Sequence, residues 1–211
     1  MKVNFSKKEE VSKKIRGVIH PTDYHNNFAR KTDTTFDLNQ KQNRKSSSLY
    51  PASVLVPLQY ENSIWQVIFT RRSINMKKHS GQISFPGGKF EDGDKSLGAT
   101  ALREAFEEIG LSSENVCLWG SLPSHETITG FRMFPFIGFV SGYEMQINSA
   151  AEVSEVFKVP LEFLLDRKSY SKHSVNWNGT KRSYLAVPYG PYYIWGATAR
   201  ILYNFSEIFS R

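Results

Sequence analysis

Glu104, Glu107 and Glu108 lie in the segment LREAFEEIG, residues 102–110. On a helix turning about 100° per residue they share an arc of about 100°. Leu102, Ala105, Phe106 and Ile109 fall on roughly the opposite face. One side reads as core, the other as a carboxylate cluster. Carboxylates three and four residues apart repel by roughly 0.2–0.5 kcal/mol per pair, so a helix with only structural aims would carry a lysine there. Three convergent carboxylates suit a hard divalent cation, which takes oxygen ligands and keeps several waters. A solvated acidic face has the same composition.

The neighbouring elements must hold that face. The preceding loop, SFPGGKFEDGD (84–94), contains Pro86-Gly87-Gly88, which lets the backbone turn sharply and approach a ligand closely. The pattern predicts a helix over 96–110, capped by Asp94 or Ser96 and stopped at Gly110. Residues 52–58 and 63–72 read as strands joined through QYEN, and VCLWGSL and FPFIGFV read as further strands. Residues 153–165 read as a short strand and then a helix starting near Pro160, and 194–209 as a closing helix. Alternating strands, helices and hairpins give a mixed α/β or α+β domain over 50–211. Residues 1–49 form a basic arm. Within it Val11, Ile15, Val18 and Ile19 mark a short amphipathic helix, and residues 20–48 read as a polar linker.

Composition removes several classes. The chain has 211 residues with 27 Lys+Arg against 20 Asp+Glu. Residues 1–50 hold 11 basic and 5 acidic side chains, and residues 51–211 hold 16 and 15. The charge therefore sits on the arm, which argues against nucleic acid as the partner of the main body. The one cysteine, Cys117, makes neither an internal disulfide nor a Cys-based zinc site, and its apolar setting VCLW predicts a small buried residue. No stretch approaches the roughly 18 apolar residues of a membrane span. The N-terminal MKVNFSKKEE lacks the apolar run of a secretory signal, so the expected location is the cytoplasm.

Residues Gly88 to Leu111 resemble the Nudix box. Arg103, Glu104, Ala105, Glu107, Glu108, Gly110 and Leu111 match its second half. In the first half eight residues, not seven, separate Asp94 from Arg103, and Asp94 stands where the general pattern has Glu. That longer spacing with Asp is similar to the coenzyme A diphosphatase branch. TRRSINMKKHSGQISFPGG (70–88), LPSHETITGFRMFPFIGFV (122–140), AEVSEVFKVPL (151–161) and YIWGATARIL (193–202) resemble further blocks of that branch, in order.

The resemblance implies a Nudix α/β/α sandwich around a mixed sheet. It also implies metal-dependent hydrolysis of coenzyme A or acyl-coenzyme A to 3′,5′-ADP and (acyl-)4′-phosphopantetheine. Mg²⁺ or Mn²⁺ would be held by Glu104, Glu107 and Glu108. Arg103 would orient a glutamate or form a surface salt bridge. By the same resemblance the base that activates water would be Glu104 or a carboxylate from a distant loop, Glu152 first and Glu155 next. Gly87 and Gly88 would approach the substrate. Arg71, Arg72 and His79, with Lys77 and Lys78, form a basic stretch suited to a second phosphate, since Arg binds phosphate bidentately; His79 could equally serve packing. The rival readings are a Nudix enzyme for ADP-ribose, NADH or a nucleotide sugar, and a Nudix module that binds without catalysis. A homodimer is open.

Overall fold

The computed structural model describes residues 3–22, 31–32, 49–177 and 180–210. Most of the linker expected over 20–48 lies outside them. The elements, in chain order, are α1 (Lys8–Val18), β1 (Lys31–Thr32), β2 (Tyr50–Glu61), β3 (Ile64–Arg72), β4 (Ile83–Ser84), β5 (Gly87–Lys89), α2 (Leu97–Ile109), β6 (Val116–Ser121), β7 (His125–Glu126), β8 (Phe131–Val140), β9 (Val153–Pro160), α3 (Leu161–Leu165), β10 (Ser171–Trp177), β11 (Thr180–Tyr189), β12 (Tyr192–Trp195) and α4 (Gly196–Phe209).

Asn62 and Ser63 both have positive φ, 50° and 63°. Glu61 pairs with Ile64 across them, which is the geometry of a tight two-residue hairpin turn. The β2–β3 hairpin it closes is the middle of a nine-stranded sheet of order β1-β7-β8-β2-β3-β4, with β5 on β2, β6 on β8 and β9 on β3. β2 runs parallel to β8 over ten residues, from Tyr50↔Phe131 to Gln59↔Val140, and the β2–β3 and β3–β9 pairs are antiparallel. The sheet is therefore mixed.

β2 is buried on both faces, so its apolar residues run continuously rather than alternating. Leu55, with Ile68 and Phe136, packs under Ala101, Ala105 and Ile109 of α2. Val54, Val56 and Leu58, with Val67 and Phe69, pack against Val11 and Ile15 of α1, Leu161 and Leu164 of α3, and Leu202 and Phe205 of α4. Helices on both faces of the sheet make the expected α/β/α sandwich. A separate antiparallel sheet, β10-β11-β12, buries Leu185, Val187 and Ile194 in the second of these layers.

Four expectations are corrected. Ile194 belongs to a strand, not to the last helix: β12 alternates exposed Tyr193 and Trp195 with buried Ile194, and Gly196, at φ 65°, breaks the run before α4. Cys117 is exposed, because β6 turns Val116 and Leu118 toward α2 and Cys117 the other way, beyond cover. Phe106, expected in the core, is 53% exposed. Its place is taken by Glu108, which is 2% exposed rather than on a solvent face. The buried stripe of α2 runs through Ala101, Ala105, Glu108 and Ile109, rotated from the one the apolar residues alone describe.

Candidate active site

The N-terminus of α2 is set by Ser96, whose side chain accepts from Ala99 N at 3.1 Å; Asp94 does other work. The C-terminus closes on Gly110 at φ 64°, whose N–H donates to Phe106 O at 2.8 Å. The remaining end carbonyls are met from the 143–149 segment. Tyr143 donates its hydroxyl to Ile109 O at 2.8 Å, and Asn148 its amide to Phe106 O at 3.1 Å. Asn148 and Ser149 donate their N–H groups to Glu108 O. The helix is thus clamped at both ends, and its glutamates are held at fixed heights.

Arg103 ties the acidic side together. Its Nε donates to Asp94 Oδ1 at 2.9 Å, and Nη1 donates to Glu104 at 3.0 Å and to Glu107 at 3.1 Å. Nη2 donates to Lys89 O and Asp94 Oδ2. Asp94 also accepts from Thr100 and from Glu91 N. The hydrogen bonds from Arg103 hold the Asp94 carboxyl well below its usual range, against the opposing effect of burial. Asp94, at the departure from the general Nudix pattern, is therefore the anchor of Arg103.

Gly87 and Gly88 bring β5 against the helix. A Cβ at Gly88 would lie 2.3 Å from the Glu104 carboxylate, and one at Gly87 would lie 2.3 Å from Ser53 O. Glycine is required at 88 so that a carboxylate can sit against the backbone. Gly87 N donates to Glu108 Oε2 at 3.3 Å. The other oxygen, Oε1, lies 3.7 Å from Arg72 Nη1.

Glu108 is pushed up to about 8. Burial is the main cause, Arg72 opposes it, and the charges of Glu104 and Glu152 add to it. Glu104 is raised as well, again by burial first, with Arg103 opposing and Glu107 and Glu152 adding. These mutual effects place Glu104, Glu107, Glu108 and Glu152 in one electrostatic cluster. Glu152 is exposed, and its backbone carbonyl accepts from Ser73 N at 2.7 Å. Arg72 Nε is buried with no hydrogen-bond partner among the described residues. Glu155 is turned away from the cluster; it pairs with Arg71 at 3.2 Å and accepts from Tyr192 at 2.7 Å.

The basic stretch divides. Arg72 reaches the carboxylates, whereas Arg71 leaves the opposite face of β3 and lies 5.3 Å from the Tyr192 ring centre. His79 is exposed on a left-handed turn, φ 57°, and its Nδ1 bonds Gln82 Oε1 at 2.9 Å. Lys77 and Lys78 are exposed. Sequence reading missed the Tyr143–Asn148 clamp and the Arg72–Glu108 contact. Nothing local marks the first; the second needed the face of β3 from which Arg72 projects.

As the side chains stand, no three His, Cys, Asp or Glu among the described residues are grouped closely enough to hold a metal ion; Arg103 draws Glu104 and Glu107 toward itself. The donor chemistry nevertheless fits a hard divalent cation. Asp94, Glu104, Glu107, Glu108 and Glu152 are faced by Arg72 and Arg103, and a carboxylate buried as deeply as Glu108, with its nearest guanidinium nitrogen at 3.7 Å, is costly until a cation compensates it.

The family model described as NUDIX domain matches residues 49–177. Similar curated proteins include two named uncharacterized Nudix hydrolase NudL. The one from Cronobacter sakazakii is 34% identical over 165 residues, covering 78% of this chain and 85% of the relative. The one from Escherichia coli is 34% identical over 160 residues, covering 76% and 83%. Among solved structures, the NUDIX domain of Shewanella oneidensis NrtR complexed with ADP ribose has TM-score 0.47 and 20% identity, covering 64% of this chain and 87% of that one. A C. elegans Ap4A hydrolase binary complex has TM-score 0.45 and 18% identity, covering 54% and 82%. With its Gly-Gly approach, clamped helix and glutamate cluster, and with the family model spanning more than half of it, the chain belongs to the Nudix hydrolase family.

Proposed function

We propose that this Nudix hydrolase cleaves the diphosphate of coenzyme A or an acyl-coenzyme A, releasing 3′,5′-ADP and (acyl-)4′-phosphopantetheine. One observation supports hydrolysis above the rest. The buried Glu108 carboxylate lies under Gly87 N–H and beside Arg72, within the field of Glu104 and Glu152. The narrower substrate rests on the four ordered sequence blocks outside the box. They form β3 to β5, β7 and β8, β9, and the β12–α4 junction; of these, β3 and β5 carry Arg72 and Gly87 to the Glu108 carboxylate.

Glu104, Glu107 and Glu108 would hold Mg²⁺ or Mn²⁺. When bound, such an ion would shield the anionic diphosphate and lower the pKa of water. Arg72, with a buried Nε lacking a described partner, would donate to a phosphate oxygen. Gly88 leaves room for the Glu104 carboxylate, and Gly87 donates its N–H to Glu108, so the two glycines hold the carboxylates in place. Arg103 is a positioning residue: anchored by Asp94 and the β5 carbonyl of Lys89, it holds Glu104 and Glu107. Glu104 or Glu152 accepts the proton as the water oxygen bonds to phosphorus. The bridging P–O bond breaks and its electron pair leaves with the departing phosphate.

The test is to incubate the protein with coenzyme A, acetyl-coenzyme A, ADP-ribose and NADH in Mg²⁺ or Mn²⁺, and to identify products by mass. The expected products are 3′,5′-ADP and the phosphopantetheine. Good turnover of ADP-ribose or NADH with none of either coenzyme A species would move the chain to another Nudix substrate.

A further inference from the structure

On the outer face of the small sheet, four rings run across three strands. His173 on β10 stacks on Tyr184 of β11, with centroids 5.5 Å apart and planes 25° apart. Tyr184 and Trp195 of β12 lie edge to face at 5.3 Å, and the Tyr184 hydroxyl lies 3.4 Å from that of Tyr193. Tyr193 and Trp195 remain 44% and 37% exposed. The opposite face of the same strands is ordinary core, with Leu185, Val187 and Ile194 buried. Cross-strand pairing accounts for the contacts within the row, and Tyr193 and Trp195 keep ring surface open beyond it.

Two of these rings, Tyr193 and Trp195, line a cleft of about 440 Å³, within the range of small-molecule sites. Tyr193 and Trp195 line it on one side and the loop through Ser80, Gly81 and Gln82 on the other, with Ile83 and Arg71 between. Arg71 is pre-oriented. Its ion pair to Glu155 runs through Nε, and Tyr192 lies against its guanidinium, so Nη1 and Nη2 donate to no described residue. Aromatic faces, a polar loop with a side-chain amide, and an arginine fork together match a planar heterocycle bearing a phosphate.

The cleft is coupled to the carboxylate site by chain geometry. Arg72 follows Arg71 on β3 and reaches Glu108 on the other face. The cleft loop is bonded to the same residue, Gly81 N to Arg72 O and Arg72 N to Gln82 O. One residue along a strand is about 3.3 Å, so the two arginines leave adjacent points of β3, one toward each site.

We propose that the cleft between Tyr193, Trp195 and the Ser80–Gln82 loop receives the nucleobase of the substrate, with Arg71 donating to the phosphate nearest that base. The proposal rests on the reading that the substrate is a nucleoside diphosphate derivative, and it assigns the end of the molecule that binds away from the metal.

The experiment measures binding of 3′,5′-ADP by calorimetry, without metal, to wild type and to Trp195→Ala, Trp195→Phe, and Tyr193→Ala with Trp195→Ala. Inhibition of turnover by inorganic pyrophosphate is followed in parallel. Loss of one stacked base contact should raise the Kd by about tenfold in Trp195→Ala and further in the double variant, with Trp195→Phe near wild type and pyrophosphate inhibition unchanged. Unchanged affinity in the double variant, folded by circular dichroism, would overturn the cleft assignment while leaving hydrolysis intact. Equal weakening of 3′,5′-ADP and pyrophosphate would also overturn it, since the rings would then be supporting the fold. If wild type binds no 3′,5′-ADP, the proposal falls, and coenzyme A turnover in the same preparation decides whether the functional reading falls with it.

Discussion

Glu107 and Glu108 are adjacent in sequence and opposite in environment. Glu107 has a side chain 54% exposed, and that of Glu108 is 3% exposed. Their neutral variants should therefore agree in activity and differ in stability. Glu107→Gln and Glu108→Gln should each lower turnover on the order of a hundredfold or more, because several kcal/mol of charge stabilisation are lost. In chelator, Glu107→Gln should melt within about 0.5 kcal/mol of wild type, as exposed substitutions do. Glu108→Gln should melt at the same temperature or higher, since an amide is less costly to bury than a carboxylate. Full activity in either variant would remove that residue from the metal site. The two glycines make a second contrast. A methyl at Gly88 meets the movable end of Glu104, whereas one at Gly87 meets the backbone of Ser53 and Val54. Gly88→Ala should fold and lose turnover, and Gly87→Ala should lose stability first. Thermal melts beside steady-state rates separate the two; a fully active Gly88→Ala would show that Glu104 need not sit where it does.

At the scale of the element, α2 is positioned through Asp94 as much as through its own caps. Asp94 is held below its ordinary range chiefly by hydrogen bonds from Arg103. A carboxylate with a depressed folded pKa contributes stability that is present above its unfolded pKa, near 4, and is lost as pH falls through the folded value. Asp94→Asn should therefore lower Tm by roughly 3–10 °C at pH 7, the scale of a charge-assisted bond in a chain this size. The difference from wild type should narrow as pH falls below about 4. A gap that stays constant down to pH 2 would mean that Asp94 acts through shape, not charge. Without this anchor Arg103 is free to swing, so turnover should fall as well. The amphipathic pattern of α1 was legible in the spacing of Val11 and Ile15, both fully buried. Its partners on α4 and the sheet were not, because periodicity gives the direction of a face and not what will cover it.

For the whole molecule, the carboxylates outnumber the guanidinium groups at the site, so a divalent cation should be a ligand of the folded state. Adding millimolar Mg²⁺ or Mn²⁺ should stabilise the folded state according to the ratio of free ion to Kd, by about 2.7 kcal/mol at a hundredfold excess, and raise Tm accordingly. Glu107→Gln and Glu108→Gln should reduce that rise, and excess chelator should abolish turnover. Wild-type turnover in chelator would sink the metal-dependent reading. No helix among the described residues is long and apolar enough to cross a membrane.

By itself the sequence determined the box helix and its stop at Gly110, the Gly-Gly approach, and the strands whose apolar runs belong to a doubly covered sheet. Those features are local: spacing on one element, a positive φ, the hydrophobic period. Tertiary structure alone decided that Glu108 is buried while Phe106 is exposed, because the charge of a side chain does not say which stripe of a helix its neighbours will cover. It decided that Arg71 and Arg72 serve opposite faces, since the pleat alternates side chains but the sheet's partners choose which face meets the helix. It also brought Glu152 into the field of Glu104 and Glu108, and set the rings of β12 beside Arg71. Those pairings join residues far apart in the chain, and only the packing of the layers brings them together.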